Sequence, residues 1–174
     1  MTRHVTWDKG VSLVGHGLWL DPVVGRELAF ISHAHTDHSR RHQVAVLTAE
    51  TLGLVRSNHR PRNARVVGFA NAVPVGEASL TLYPAGHMLG SAQLLFEHDG
   101  WRLLYTGDMK LRLGGQQETA VPRADVLVVE STYGRPHFLF PEPDAVVEAV
   151  AMWCRKALDS GVTPVLLAHA LGKS

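Results

Sequence analysis

Three histidines and one aspartate fall within six consecutive positions, in Ile31-Ser32-His33-Ala34-His35-Thr36-Asp37-His38. Composition alone would produce that arrangement roughly 0.002 times in a chain of this kind, so chance is a poor explanation. Neutral imidazoles and carboxylates are ligands for divalent cations, and the chemistry they point to is metal-assisted hydrolysis. While the backbone stays extended, His33 and His35 share a face and can hold one ion together; a turn at Thr36 then brings Asp37 and His38 to a neighbouring position. The spacing therefore predicts two cations. The donor set suits Zn²⁺, with Mn²⁺ and Fe²⁺ as alternatives. A pair of ions about 3.5–4 Å apart calls for a bridging carboxylate and a further histidine. His87, in Pro84-Ala85-Gly86-His87-Met88-Leu89-Gly90-Ser91, and Asp108, in Tyr105-Thr106-Gly107-Asp108, each follow a strand-like run and stand beside glycine, as ligand loops with tight turns do. Either one in isolation reads more readily as a turn or a hydrogen-bonded surface residue.

These groups have to be carried by regular elements. Short β-type runs punctuated by Gly, Pro and Asp dominate the first two thirds: 11–14, 18–20, 28–32, 44–48, 65–69, 79–83, 92–97, 101–106 and 125–130. Residues 50–57 read as a short helix. Residues 144–158 read as the one strong helix, with Val146, Val147, Val150, Cys154, Ala157 and Leu158 on one stripe, Pro141 and Pro143 at its start and Gly161 at its end. A further apolar strand is expected at 163–168. Strands followed by a helix and another strand fit a layered α/β architecture, with all of 1–174 in one domain or part of one.

The bulk composition sets limits on the function. With 174 residues, 17 Lys plus Arg against 16 Asp plus Glu, and 45% apolar residues, the chain has the makings of one sizeable core and is not a disordered tail, a collagen or a coiled coil. Its apolar runs are far shorter than the roughly 20 residues of a membrane span, and Met-Thr-Arg-His opens no signal-type stretch, so a cytoplasmic protein without a membrane partner is expected. The single cysteine, Cys154, lies in the apolar helix and reads as packing rather than as a nucleophile. Histidine, at 11 residues, is the compositional outlier that favours metal binding.

Four motifs in order, His33-x-His35-x-Asp37-His38, Gly86-His87-x-Leu89-Gly90-Ser91, Thr106-Gly107-Asp108 and Glu130-Ser131-Thr132-Tyr133-Gly134, resemble those of metallo-β-lactamase-fold nucleases of the β-CASP branch. Within the branch the chain looks most like the bacterial ligase-associated DNA exonucleases, often labelled mRNA 3′-end processing factor-like. The resemblance implies an αββα sandwich and a binuclear-metal phosphodiesterase acting on single-stranded DNA or RNA in DNA repair or RNA processing, with a DNA ligase as an associated partner. It implies His33, His35 and His87 on one metal, Asp37 and His38 on the other, and Asp108 between them. Asp21, before Pro22, matches an early aspartate that orients ligands, and Glu130 matches the acidic residue opening the β-CASP motifs, which supports a histidine that protonates the leaving group. Asp37 would also hold the attacking hydroxide.

Members of that family run to several hundred residues. The β-CASP insert and the returning half of the fold, with two further histidines, have no counterpart here, so the chain reads as an N-terminal portion incomplete for catalysis, with an uncovered apolar patch. His169, in Ala168-His169-Ala170-Leu171-Gly172-Lys173, is a weak substitute ligand. Six arginines between 40 and 65, Arg40, Arg41, Arg56, Arg60, Arg62 and Arg65, against the single acid Glu50, suit a phosphate backbone held beside the metal loop, with Lys110 and Arg112 adding to the same field. Two other readings stand beside this one. The His-x-His-x-Asp-His pattern also occurs in small-molecule hydrolases of the same fold, such as glyoxalase-II-like thioesterases and lactonases, and a truncated chain can persist as a noncatalytic partner whose ligands staple the fold.

Overall fold

In a computed structural model, residues 4–111, 119 and 121–168 are described. The chain divides into two compact units, 1–130 and 131–174.

The first unit is built from two sheets. One has six strands in spatial order β1 (Val5–Trp7), β2 (Val11–Leu13), β3 (Leu18–Leu20), β4 (Leu28–Phe30), β5 (Val44–Leu47) and β6 (Asn63–Val66). The β1–β2 and β2–β3 pairs are antiparallel, whereas β3, β4, β5 and β6 run parallel to one another. The central strands are near-continuous apolar runs, as expected of parallel strands covered on both faces, while β6 at the edge carries Asn63 and Arg65. Going from β4 to β5 and from β5 to β6, the chain must return to the start of the next strand, so loops cluster at both ends of this sheet. The helix α1 (Ala49–Leu54) is part of the second return; Thr48 caps it, its hydroxyl accepting from the Thr51 amide at 3.2 Å.

The second sheet has five strands, in order β11 (Val126–Val128), β10 (Trp101–Tyr105), β9 (Ala92–His98), β8 (Ala78–Pro84) and β7 (Ala72–Val75), antiparallel except for the parallel β10–β11 pair. Leu13, Leu18, Leu20, Phe30 and Val46 from the first sheet and Leu80, Leu82, Leu94, Phe96 and Leu103 from the second form one buried cluster, so the sheets share an apolar core. On the other face of the first sheet, Leu52 of α1 packs on Ile31, Ala45 and Leu47.

Two strands escape the sequence patterns. Val5-Thr6-Trp7 is short and half polar, and Pro74 sits inside β7, where proline argues against a strand; the structure accommodates it because β7 lies at the sheet edge. The run expected at 65–69 forms β6 two residues earlier, and only Phe69 keeps a bridge, to Leu82.

The second unit contains α2 (Pro143–Asp159), with Pro143 at its first turn and Gly161 just past its end. Val146, Val150 and Trp153 line an apolar groove with Pro141 and Leu166. The strand expected at 163–168 is absent: those residues are irregular, since a strand needs a hydrogen-bonding neighbour and none of the described strands pairs with them. His169 and Arg112 lie outside the described residues. Among the described residues no helix is long and apolar enough to cross a membrane.

Candidate metal centre

The histidine segment leaves the C-terminal end of β4. Ile31 still donates to Val46 at 3.0 Å, as a continuing strand would; Ser32 then turns its carbonyl to Ala92 of the other sheet at 2.9 Å, and the amides of His38 and Ser39 fold back onto the His35 carbonyl at 3.1 and 2.9 Å. The expected turn at Thr36 is present, whereas β4 ends at Phe30 and His33, Ala34 and His35 already bend instead of continuing extended, so the two rings meet through the curvature of the loop and not through strand alternation.

Two more loops converge on it. The Ser91 hydroxyl accepts from the amides of His87 and Met88, both at 3.1 Å, and Gly90 presents its carbonyl to the hydroxyls of Thr48 at 2.8 Å and Thr51 at 3.0 Å. Gly90 has φ +78°, and a Cβ there would meet the Thr51 amide at 2.8 Å, so glycine is what lets the His87 loop dock on the start of α1. Gly107, with φ +54°, passes so close to Ser32 that a Cβ would come within 2.6 Å of the serine Cβ, and it delivers Asp108 to the cluster.

The result is a set of four facing donor atoms. His33 Nε2 lies 2.9 Å from His35 Nδ1, His87 Nε2 is 3.3 Å from the same atom, and Asp108 Oδ2 is 3.6 Å from His87 Nε2 and 3.9 Å from His33 Nε2. Ligands at about 2.0–2.1 Å from a tetrahedral ion stand roughly 3.3 Å apart, so these side chains fit a Zn²⁺-sized cation with little movement. The second oxygen, Asp108 Oδ1, faces His38 Nε2 at 3.4 Å, and Asp37 Oδ2 approaches that nitrogen at 3.7 Å. Asp108 thus offers one oxygen to each group.

Proton positions follow from the surrounding hydrogen bonds. Asp21 accepts from the Ser32 amide at 2.7 Å, the Ser32 hydroxyl at 2.5 Å, Tyr105 at 3.0 Å and His38 Nδ1 at 2.9 Å. Because the Ser32 hydroxyl gives its proton to Asp21, it accepts from His33 Nδ1 at 2.9 Å, which leaves the Nε2 lone pair of His33 free toward Asp108. The same logic commits His38 Nδ1 to Asp21, so Nε2 is the nitrogen that faces Asp37 and Asp108 and that would carry the lone pair once the ring is neutral. Asp21 lies within ion-sharing reach of His33 and His38, and both its oxygens are already engaged by hydrogen bonds. Its backbone is left-handed, φ 44°, unusual for a residue with a Cβ.

The titration behaviour of these side chains reflects this wiring. Burial, followed by the neighbouring His38, His87 and His35, holds the His33 ring far below the usual histidine range. Burial also opposes a proton on His38, but the hydrogen bond and charge of Asp21, with Asp108 and Asp37, outweigh it and raise the ring to about 9. Burial and then Asp21 push the Tyr105 phenol well above its ordinary value, so it stays a donor.

No protein-family model matches the chain. Among curated proteins it is 38% identical to a probable DNA ligase of Opitutus terrae over the whole of this chain and 18% of that one. It is 26% identical to an RNase J-like protein of Methanocaldococcus jannaschii over 85% of this chain and 41% of that one. Against the 5′ exonuclease Apollo of Gallus gallus it is 32% identical over 86% of this chain and 34% of that one. The chain is similar, over most of its length, to part of the metallo-β-lactamase-fold nucleases of the β-CASP branch. It spans less than half the length of each of these relatives. The fold is shared with a crystal structure of an Enterococcus faecalis protein of unknown function, at TM-score 0.50 and 18% identity, over 76% of this chain and 39% of that one.

The other residues singled out from sequence are distributed unevenly. Glu130 Oε1 accepts from the Met109 amide at 3.3 Å, directly beyond Asp108. Of the six arginines, Arg40 reaches the Thr36 carbonyl of the histidine loop, and its charge together with that of Arg56 adds to burial in lowering His59. Arg65 instead donates to the Pro74 carbonyl at 2.7 Å, while Arg41 and Arg62 line a cleft where the parallel strands begin, so the arginines do not form one field. Lys110 caps the Ala85 carbonyl with its amide at 2.9 Å. The positioning roles of Ser32, Ser91 and Tyr105 carry no sequence signal beyond adjacency to the ligand motifs.

Proposed function

We propose that this chain is the N-terminal portion of a binuclear-metal phosphodiesterase that cuts nucleic acid, its two sheets being the inner layers of an αββα sandwich and 1–174 a part of that single domain. The observation that carries the reading is the four-donor set of His33, His35, His87 and Asp108, with Asp108 turned at once toward His38. In this reading His33, His35 and His87 hold one ion, Asp37 and His38 the other, and Asp108 bridges.

Divalent ions, most simply Zn²⁺, when bound supply an acidic water near neutral pH and positive charge against the phosphoryl oxygens. The protein groups do the rest. Asp37, with its side chain 79% exposed beside His38, would accept a hydrogen bond from the attacking hydroxide and hold it in line with phosphorus. Asp21, Tyr105 and Ser32 keep His33 and His38 in the tautomers that leave their Nε2 lone pairs open. Arg40 and Arg56 flank the histidine loop and attract the phosphate backbone. Glu130, close behind Asp108, takes the supporting role toward leaving-group protonation, with the protonating histidine supplied from outside these residues.

A homologue that carries a matching segment within a protein named a probable DNA ligase supports DNA as the substrate and a DNA ligase as the associated activity. The test compares the purified full-length protein on single-stranded DNA, single-stranded RNA and a thioester. Metal-dependent cleavage of an oligonucleotide is the expected result; turnover of the thioester alone would replace the nuclease reading with the small-molecule one.

A further inference from the structure

The end of the first sheet opposite the histidine loop holds a cleft of about 650 Å³. It is lined by residues that lead into the parallel strands: Arg26 before β4, Arg41 and His42 before β5, and Arg62 before β6, with Trp19 of β3 as a wall. Three buried N–H groups of these side chains have no hydrogen-bond acceptor: Trp19 Nε1, Arg26 Nε and His42 Nε2. The donor character of His42 is fixed by its neighbour. The Arg26 amide donates to His42 Nδ1 at 3.2 Å, so the neutral ring carries its proton on Nε2. His42 is 2% exposed, and the guanidinium of Arg26 is held over the Trp19 ring at 4.7 Å and by Asp8 at 2.8 Å, so these donors are fixed in place.

Buried donors left without acceptors are costly and uncommon. One water accepts from two donors at most, whereas the residues lining this cleft hold three, with two further guanidinium groups, against Glu27 as the one carboxylate in the lining. A multi-oxygen anion matches that inventory. We propose that this cleft is a phosphate-binding site, with Trp19, Arg26 and His42 donating to the phosphate oxygens and Arg41 and Arg62 supplying charge. It lies apart from the metal ligands and does not depend on the nuclease reading. The phosphate can be that of a nucleic-acid strand or free phosphate, and the chemistry recognised is the same.

The intact protein, followed by heteronuclear NMR at the Trp19 indole N–H and the His42 ring, would be titrated at constant ionic strength with inorganic phosphate, with chloride, and with an oligonucleotide carrying or lacking a terminal phosphate. Trp19→Phe assigns the indole signal. Saturable shifts with a phosphate-bearing probe and none with chloride are expected, weakened about tenfold or more in Arg41→Ala/Arg62→Ala, whose exposed positions leave the core untouched. Tighter saturation by the phosphorylated oligonucleotide than by inorganic phosphate identifies a strand as the source, and the reverse order identifies free phosphate. Absence of a saturable shift with either, or shifts unchanged in the double variant, would overturn the proposal.

Discussion

Tyr105 of β10 donates its hydroxyl to Asp21 Oδ2 at 3.0 Å, a bond that joins residues 84 apart in sequence and ties one sheet to the other beneath the histidine loop. The same oxygen receives His38 Nδ1. Tyr105→Phe removes a donor from a buried carboxylate while keeping the ring. It should lower stability by about 1–3 kcal/mol. It should also weaken metal retention by roughly 10–100-fold, as loss of a ligand-orienting partner typically does. Denaturant titration and competition with a chromophoric chelator read the two effects separately, and an unchanged metal affinity would remove Asp21 from its orienting role.

In the proposed two-ion reading, only the carboxylate of Asp108 is common to both positions, so ligands private to one of them test it separately. Asp37→Ala should leave the His33, His35 and His87 group able to load while total bound metal falls below that of the parent. His87→Ala should spare the position at His38 and Asp37. Elemental analysis after exhaustive dialysis measures both; equal metal content in Asp37→Ala and parent would exclude Asp37 as a ligand.

Gly107→Ala tests whether backbone closeness, rather than side chains alone, assembles the site. The new methyl would sit 2.6 Å from the Ser32 Cβ in a left-handed backbone. The combined strain and overlap should cost on the order of 3 kcal/mol. A urea midpoint close to that of the parent would show that the loops can part without loss.

His42 gives stability a defined pH dependence. Burial lowers its ring to about 4; Asp21 opposes the shift and Arg26 adds to it. The unfolded chain, titrating near 6.5, takes up the proton more readily than the folded one. This contribution is therefore complete above about pH 6.5 and is lost as pH falls toward 4, by at most about 3 kcal/mol. Protonation also places a hydrogen on Nδ1, where the Arg26 amide now donates. His42→Asn should flatten the stability profile between about pH 7 and pH 5, as measured by urea unfolding.

Much of the architecture could be read from the chain because it is carried by local patterns. The apolar runs at 28–32, 44–48 and 92–97 belong to strands buried on at least one side, where burial dictates residue type, and α2 announces itself by its stripe and flanking prolines. What stayed hidden depends on partners distant in sequence. β7 contains Pro74 and is a strand only because β8 pairs with it, and 163–168 has strand composition without a described neighbour to pair with. At the site, residue type and spacing singled out the 33–38 segment, and the ordered motifs added His87 and Asp108, which converge on it. They did not show that Tyr105 reaches Asp21 or that a serine hydroxyl relays between Asp21 and His33, since such bonds are fixed only when the sheets stack. Nor could spacing show that the adjacent Arg40 and Arg41 send their side chains to different places, Arg40 to the Thr36 carbonyl and Arg41, with Arg62, to the cleft where the parallel strands begin.

The left-handed turn of the chain at Asp21 bears on how that residue should be probed. Alanine there would delete a carboxylate and also force a methyl-bearing backbone into a conformation it resists, so its effect would mix two causes. Asparagine, which tolerates the same twist and keeps one acceptor oxygen, isolates the electrostatic share, and the difference between the two variants measures how much conformational tension this corner of the molecule stores.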